Sequence, residues 1–444
     1  MSQDGQLPEG WTMTTLGAVT TPSKERVDPA HVPCARYIGL EHIEANSMRL
    51  IGEGVASDVT STKSVFHAGD VLYGKLRPYL NKITRPSFDG ICSTDILVFT
   101  QRDNLDSGFL AYFLNQASFV EAAHHGSAGV ELPRASWKDL ANIPFPLPPL
   151  DQQRLIAALI GQIKAKQQTT TEQLGTARHA IERFRQAVLA AACSGRLSEN
   201  WRAAHPEVAS VAGALELKQR TQRRKGASDE PPPLNLPDLP ESYIMATIGD
   251  AAELVEYGTS QRAEANAEGV PVLRMGNIQD GQLDVRDLKY IRKDREIERL
   301  LLREGDLLFN RTNSPELVGK SAVYHRAEEM TFASYLIRVR FAQAIAKPDF
   351  ANYWINSAWG RAWAYQVKTD GVSQSNINGT KLSAMPLPLP PIEEQAEIVR
   401  RASAMLTLAD SLLAQINTAS QQVQRSAQAV LAKAFRGELA VVAE

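Results

Sequence analysis

The residues best equipped for chemistry in this chain are equipped for binding. The run Gly74-Lys75-Leu76-Arg77-Pro78-Tyr79-Leu80-Asn81-Lys82-Ile83-Thr84-Arg85 carries four cations, an aromatic ring and no acid. That mix suits phosphate clamping with hydrogen bonding to base edges. Further on, Asn310-Arg311-Thr312-Asn313-Ser314 offers amides of the kind that pair with adenine edges. The closest approach to a phosphate loop, 314–321, lacks the first glycine and puts Pro315 and Glu316 where amides would cradle phosphate. His124-His125 has no nearby cysteine or acid at metal-ligand spacing and reads as a polar helix end. Gly-x-Gly-x-x-Gly, Gly-x-Ser-x-Gly and His-Glu-x-x-His do not occur. A chain of 444 residues without such motifs is expected to bind rather than catalyse.

The elements that must position these residues are organised around a stretch that occurs twice. Ile143-Pro144-Phe145-Pro146-Leu147-Pro148-Pro149-Leu150-Asp151-Gln152-Gln153 is matched by Met385-Pro386-Leu387-Pro388-Leu389-Pro390-Pro391-Ile392-Glu393-Glu394-Gln395. Alternating prolines demand an extended strap. The acids that follow suit the first turn of a helix. Gly195 and Gly437 are placed to cap two long helices at their ends. Along the first, Ile156, Ile160, Ile163, Gln167, Thr170, Leu174, Ala177, Ile181, Phe184, Val188 and Ala191 alternate by four and three. That is a heptad seam with a polar centre. Its repeat is Ile398, Ala402, Met405, Ala409, Leu412, Ile416, Ala419, Val423, Ser426, Val430 and Lys433.

Composition narrows the class. A hydrophobic fraction of 43%, a charged fraction of 22% and a net charge of −2 are ordinary for a globular protein of two or three domains. No apolar run is long enough to span a membrane, and the first residues lack the pattern of a signal peptide. Cys34, Cys92 and Cys193 are scattered, as expected of reduced thiols in a cytoplasmic protein. Residues 1–150 carry a net −4, 151–239 a net +4, and 240–391 and 392–444 each −1. Bulk charge therefore announces no polyanion partner; only the local run 74–85 does.

The repeat extends beyond the strap. Leu16-Gly17 returns as Ile248-Gly249, and Gly69-Asp70-Val71-Leu72 as Gly305-Asp306-Leu307-Leu308. The offset drifts within the globules and stays constant from strap to closing glycine. Loops tolerate insertions, whereas a heptad seam does not. The expected organisation is α+β: two mixed α/β globules, 1–150 and 240–391, a first long helix at 151–195, a linker at 196–239, and a second long helix with a C-terminal tail at 392–444. Strands are expected at 91–100 and 333–341, helices at 109–123 and 350–367, with polar loops after each helix. The linker is expected to be partly helical to about 226 and extended from 229 to 240.

Taken together and in order, these motifs resemble the specificity subunit of a type I restriction–modification system. The resemblance rests on the Gly-Asp-Val/Leu-Leu pair, the Pro-Leu-Pro-Pro-Leu/Ile-x-x-Gln pair, Cys193-Ser194-Gly195-Arg196-Leu197 with Phe435-Arg436-Gly437-Glu438-Leu439, and Trp201-Arg202. The first copy departs by having Cys193-Ser194 in place of Phe-Arg, and by Gly161 and Gly175 within its helix. The resemblance implies a non-catalytic chain with two target-recognition domains, each reading half of a bipartite double-stranded DNA target. It also implies two methyltransferase subunits and restriction–translocase subunits as partners. S-adenosylmethionine, ATP and Mg²⁺ would then belong to those partners, with no cofactor or metal here.

On that reading Lys75, Arg77, Tyr79 and Asn81 are candidates for one half-site, and Asn310, Arg311, Asn313 and Gln374 for the other. Lys82, Arg85, Ser127, Arg134, Arg274, Lys320, Ser373 and Asn376 are further candidates for DNA binding. Gln153, Leu155, Leu159, Gln395 and Phe435 are candidates for partner docking. The helices are expected to pack antiparallel under a pseudo-two-fold axis and to set the spacing of the half-sites. Two rival readings are a duplicated coiled-coil scaffold and a stand-alone DNA methyltransferase or nuclease.

Overall fold

The computed structural model describes residues 7–127, 132–221, 235–265, 269–372 and 374–439, excluding the Thr221 side chain. It divides into two compact units, one of Met1–Thr176 with Ile416–Glu444 and the other of Ala177–Gln415. The first therefore contains the start of the first long helix, Leu150–Cys193, and the end of the second, Ile392–Phe435.

In the first unit the strap Pro144–Leu147 pairs antiparallel with Thr12–Thr15, Thr12 facing Leu147. Proline is tolerated because this sheet has only two strands, so no second neighbour needs the missing N–H. A five-stranded sheet runs in the order Arg26–Val27, Lys63–Phe66, Gly90–Cys92, Arg36–Ile38, Gly54–Val55. A three-stranded sheet places Val71–Gly74 between Ile83–Thr84 and Ile96–Phe99. The second unit repeats the scheme. Pro386–Leu389 pairs with Ile244–Thr247, and Leu307–Asn310 lies between Leu336–Phe341 and Ser321–Val323. A parallel pairing also recurs, Tyr37 with Ile91 and Val272 with Thr331.

The Gly-Asp motif has a local reason. Gly69 and Gly305 take φ of 89° and 83°, where a side chain would be strained. The buried carboxylate of Asp70 then accepts from the backbone N–H of His67 at 2.8 Å, and that of Asp306 from Arg303 at 2.9 Å. Each turn aims the chain into the strand that ends at the polar runs of interest.

The expected helices at 109–123 and 350–367 are each two helices. Ser107–Leu114 is followed by Ala117–His125, and Pro348–Asn356 by Ala358–Val367. Extended backbone at Gln116 and Ser357 makes the breaks, and the buried Ser357 hydroxyl caps the new helix by accepting from Gly360.

Both long helices close on left-handed glycines, Gly195 at φ 75° and Gly437 at φ 73°. Their inward stripes differ from the expected seam. On the second helix the buried or half-buried positions include Ile398, Ala402, Leu406, Ala409, Leu413, Ile416, Ser420, Val423, Ala427, Val430 and Ala434. Met405, Leu412, Ser426 and Lys433, assigned to the seam, are exposed. On the first, Arg178 and Arg185 turn inward, and Ala177 and Phe184 are exposed. From Ile156 to Ala192 and from Ile398 to Ala434, ten steps cover 36 residues. The stripe thus keeps the 3.6-residue period of a straight helix rather than the 3.5 of a strict heptad.

The departure at Cys193 is a volume exchange. In the first unit the Phe435 ring packs tilted against Phe109 and edge-on to Phe113, at centroid distances of 4.8 and 5.7 Å. In the second unit the position repeating Phe113 is the larger Trp354, buried in the same core as the smaller Cys193. Gly161 admits the Tyr112 hydroxyl, 3.3 Å from where a Cβ would stand. Nothing in the structure explains Gly175.

The linker is helical at Glu199–Ala204 and Ala212–Thr221. Of the stretch expected to be extended, residues 229–234 lie outside the described residues, and 235–240 carry neither helix nor strand. Trp201 stacks on His205, and Arg202, Ser198 and Tyr243 all donate to the buried Glu394 carboxylate at 2.5, 2.7 and 3.2 Å. Burial beside that carboxylate pushes the Tyr243 phenol up, since an anion there would be desolvated and repelled.

Candidate nucleic-acid interface

In the first unit the strand Val71–Gly74 delivers a tip, 75–82, built on an unusual backbone. Arg77 and Asn81 are left-handed, at φ 51° and 47°, on either side of the short turn Pro78–Leu80. Such conformations cost about 1–3 kcal/mol each for non-glycine residues and persist only where the surroundings hold them. Here Arg77 N–H donates to Pro133 at 2.7 Å and Ala135 N–H to Lys75 at 2.9 Å. Asn46 N–H bonds the carbonyls of Leu80 and Asn81, each at 3.2 Å. The tip presents Arg77 and Tyr79 outward, both exposed. Tyr79 meets the edge of His124 at 5.6 Å, and Ser127 donates to the His124 carbonyl at 2.6 Å. Arg134 pairs with Asp95 at 3.2 Å, opposite Leu76 in an isolated antiparallel bridge.

Lys75, Arg77, Tyr79, Ser127 and Arg134 are thus gathered around one tip. The other candidates of this half are not. The Asn81 side chain is buried, and Lys82 donates to the Leu40 carbonyl at 2.5 Å. These two lie inside the tip rather than on its outer surface. Arg85 is exposed but lines a different cavity, with Asp106, Arg154 and Lys164.

In the second unit the matching strand ends at Asn310, which is fully buried. Its amide donates to the Met275 carbonyl at 3.3 Å, at the place where Lys82 serves Leu40 in the first unit. Arg311 is also internal, donating to Ser334 and Asn376, each at 3.3 Å, over the Tyr257 ring. Thr312 pairs with Asn376 and Asn313 with Ser375, the register that Leu76 and Arg134 keep in the first unit. Outward from this pairing lies a cavity of about 800 Å³, lined among others by Arg274, Gln279, Arg286, Asn313, Lys320 and Tyr335.

The structure therefore gathers Arg274, Asn313 and Lys320 around one cavity and places Asn310 and Arg311 behind it. Arg274 is steadied by Asp287, at 3.0 Å from its carboxylate. Gln374 is exposed nearby in sequence, its carbonyl bonded to Gly371 at 2.8 Å; Ser373 lies outside the described residues. Tyr335, Arg286 and Gln279 escaped the sequence reading. Their signal was the Met275-Gly276-Asn277-Ile278 turn, which repeats Leu40-Glu41-His42-Ile43. Both turns are 3₁₀ and both begin with a backbone N–H donated to the side chain three residues on, Gly39 to His42 and Arg274 to Asn277. Hydrogen bonds from Arg286 hold Asp284 at a pKa of about 2, so an arginine and a permanently charged acid share the cavity rim.

The residues assigned to partner docking divide in the same way. Leu155 is exposed and Leu159 half-exposed. Gln153, Gln395 and Phe435 are buried and spent inside their own units, which corrects their assignment to a partner surface. Gln153 accepts from Asp106 N–H at 2.9 Å and donates to Pro148 at 2.9 Å. Among the described residues no group of three or more His, Cys, Asp or Glu side chains is placed to hold a metal, and no helix is long and apolar enough to cross a membrane.

Comparison with known proteins settles the family. The model of the type I restriction modification DNA specificity domain matches residues 43–176 and again 240–419, one match in each half. This chain belongs to that family. Among the relatives of this specificity protein, the EcoKI specificity subunit of Escherichia coli K12 is 28% identical over 466 residues, covering 98% of this chain and 90% of that protein. The EcoDI specificity subunit of Escherichia coli is 31% identical over 222 residues, covering 49% of this chain and 50% of that protein. A solved chain from a type I restriction–modification system has the same fold, with a TM-score of 0.72 at 21% identity over 98% of this chain and all of that one. The HsdS subunit from Thermoanaerobacter tengcongensis matches with a TM-score of 0.54 at 21% identity, covering 99% of this chain and all of that one.

Proposed function

We propose that this specificity protein reads a bipartite duplex target. The tip around Arg77, Tyr79 and Arg134 takes one half-site, and the cavity around Arg274, Asn313, Lys320 and Tyr335 takes the other. The observation that carries this is the shared register: Leu76 opposite Arg134 in one unit, Thr312 opposite Asn376 in the other. Different polar side chains are mounted on one backbone frame, as expected of two readers of different sequences. Arginine suits guanine and asparagine suits adenine in the major groove.

The long helices act in this reading as an antiparallel coiled-coil spacer under a pseudo-two-fold axis. Two contacts support it: Gln167 donates to Ser426 at 3.2 Å, and Arg185 pairs with Asp410, so neighbour numbers fall as residue numbers rise. Two methyltransferase subunits dock on the complex, with Leu155 and Leu159 offering apolar contact, and restriction–translocase subunits join them. S-adenosylmethionine, ATP and Mg²⁺ are supplied by those partners, and this chain carries no chemistry of its own. The place of action is the cytoplasm.

The test is a gel shift of the full chain with its methyltransferase partner on genomic fragments, followed by methylation sequencing. A two-part motif with a fixed gap is expected. Binding without sequence preference, or methylation by this chain alone, would reject the proposal.

A further inference from the structure

Three cations of the first unit meet at a cavity of about 560 Å³ that half-site reading leaves unused. Arg85 directly follows the strand Ile83–Thr84 that leaves the tip; Arg154 and Lys164 come from the first long helix. Among the described residues, Arg85 has no carboxylate within ion-pairing distance. Arg154 has only the exposed Asp151, at 3.7 Å. Lys164 is half-buried and bonds two neutral atoms, Asn115 Oδ1 at 2.7 Å and Met48 Sδ at 3.4 Å, with its ammonium 5.4 Å from the Tyr112 ring. Burial holds its pKa down at about 8, and no acid opposes that shift. The one acid in the cavity, Asp106, already accepts from Phe109 N–H at 2.8 Å as a helix cap. A partly desolvated ammonium beside two guanidiniums is unfavourable unless an anion joins them.

The anion's identity follows from the neighbouring backbone. One wall of the cavity is Ser47 and Met48. They directly follow Asn46, whose N–H is bonded to the tip at Leu80 and Asn81. A duplex whose base edges are held at the tip would bring its flanking phosphates to this cavity. We propose that Arg85, Arg154 and Lys164 form a backbone-phosphate site for DNA beyond the half-site, so that the first long helix itself grips the unread spacer. This rests on the reading of the tip as a DNA reader.

The test is the salt dependence of binding by the full chain, in complex with its methyltransferase partner, to a fluorescent 30-bp duplex of random sequence, for wild type, Arg85→Gln, Arg154→Gln and Lys164→Met. Lys166→Gln, an exposed cation two residues along the same helix, is the control. Each phosphate contact removed should lower the slope of log K against log salt by about 0.9. The loss should be equal on every sequence, and the control should keep the wild-type slope. Arg154 is exposed, so its variant folds even if Lys164→Met does not, and circular dichroism checks both. Unchanged slopes in the cavity variants overturn the inference. So do unchanged slopes with loss of methyltransferase co-purification, which would assign the cavity to a protein acid. Failure of wild type to bind any duplex would instead reject the DNA-reading proposal itself, and this inference with it. Binding by wild type that Lys320→Ala weakens but the cavity variants leave unchanged rejects the phosphate site alone.

Discussion

Gln395 donates its amide to the carbonyl of Pro390, five residues earlier, at 2.9 Å. The same amide reaches Ile345 at 2.9 Å, and its oxygen accepts from Lys347 N–H at 2.7 Å. Gln153 repeats the arrangement with Pro148, Asn104 and Asp106. One side chain thus ties the proline strap, the start of the helix and the globule together. A buried amide that satisfies three backbone groups is expensive to remove.

Gln395→Ala should therefore cost about 1–3 kcal/mol of stability, read by denaturant unfolding. Gln395→Glu should cost more, because a carboxylate would face two carbonyl oxygens. Gln152→Ala loses only an exposed bond from Trp11 and should stay within about 0.5 kcal/mol. Equal effects at 152 and 395 would show that the lock carries no energy.

Half-site assignment predicts confined effects. Arg274→Ala and Lys320→Ala should alter only the half of the methylated motif read by the second unit. Arg77→Ala should alter only the other half. A lost bidentate base contact costs about 1–3 kcal/mol and relaxes one position. Methylation sequencing of each variant decides it, and a change in both halves from one variant counts against the assignment. Asn310→Ala should instead lower stability, because its amide is buried under the cavity.

His325 gives a pH signature. It lies between Asp349, at 2.8 Å, and Glu304, at 2.6 Å, and bonding to these two carboxylates raises its pKa to about 9. Arg326 and Glu328 lie near it on the same cavity rim. The folded pKa is above the unfolded value of about 6.5. The contribution to stability is therefore complete below about pH 6.5 and is lost as pH rises through about 9. Because the ring is half-exposed, solvent screening keeps the effect small. Melting temperatures of wild type and His325→Asn should differ most at pH 6 and converge by pH 10. A gap that persists at pH 10 would mean packing rather than charge.

Spacer length can be tested by lengthening both helices by one heptad. Inserting after Gln167 and at the repeat-equivalent Ala409, as the expected seam suggests, would interrupt a fully buried position. The better pair is Gln167 and Ser426, which touch across the helices through a polar contact. Seven residues add about 10 Å, or roughly three base pairs. The methylated motif should keep both halves and gain about three base pairs of gap. Three base pairs also rotate the groove by roughly 100°, so reduced activity is expected alongside. Normal methylation at the original gap would show that the helices do not set the spacing.

By itself the sequence determined the duplication, the straps, the closing glycines and the family. These features depend on local chemistry: proline lacks an N–H, left-handed turns select glycine, and repeated motifs need no structure to be read. It also located the two polar runs, since strand-to-loop transitions follow the Gly-Asp turns. What only tertiary structure decided was which side chains face outward. Met405, Leu406, Leu408, Leu412 and Leu413 are all apolar, so pattern alone permits two stripes. Packing selects Leu406 and Leu413, because the buried stripe repeats every 3.6 residues and so drifts away from a heptad. In the same way Lys82, Asn310 and Arg311 have the composition of base readers but turn inward to donate to backbone carbonyls, and the Asn81 side chain is buried. Tyr335 and Arg286, unremarkable in sequence, reach the cavity because a parallel strand pairing and a 3₁₀ turn bring distant segments to one rim.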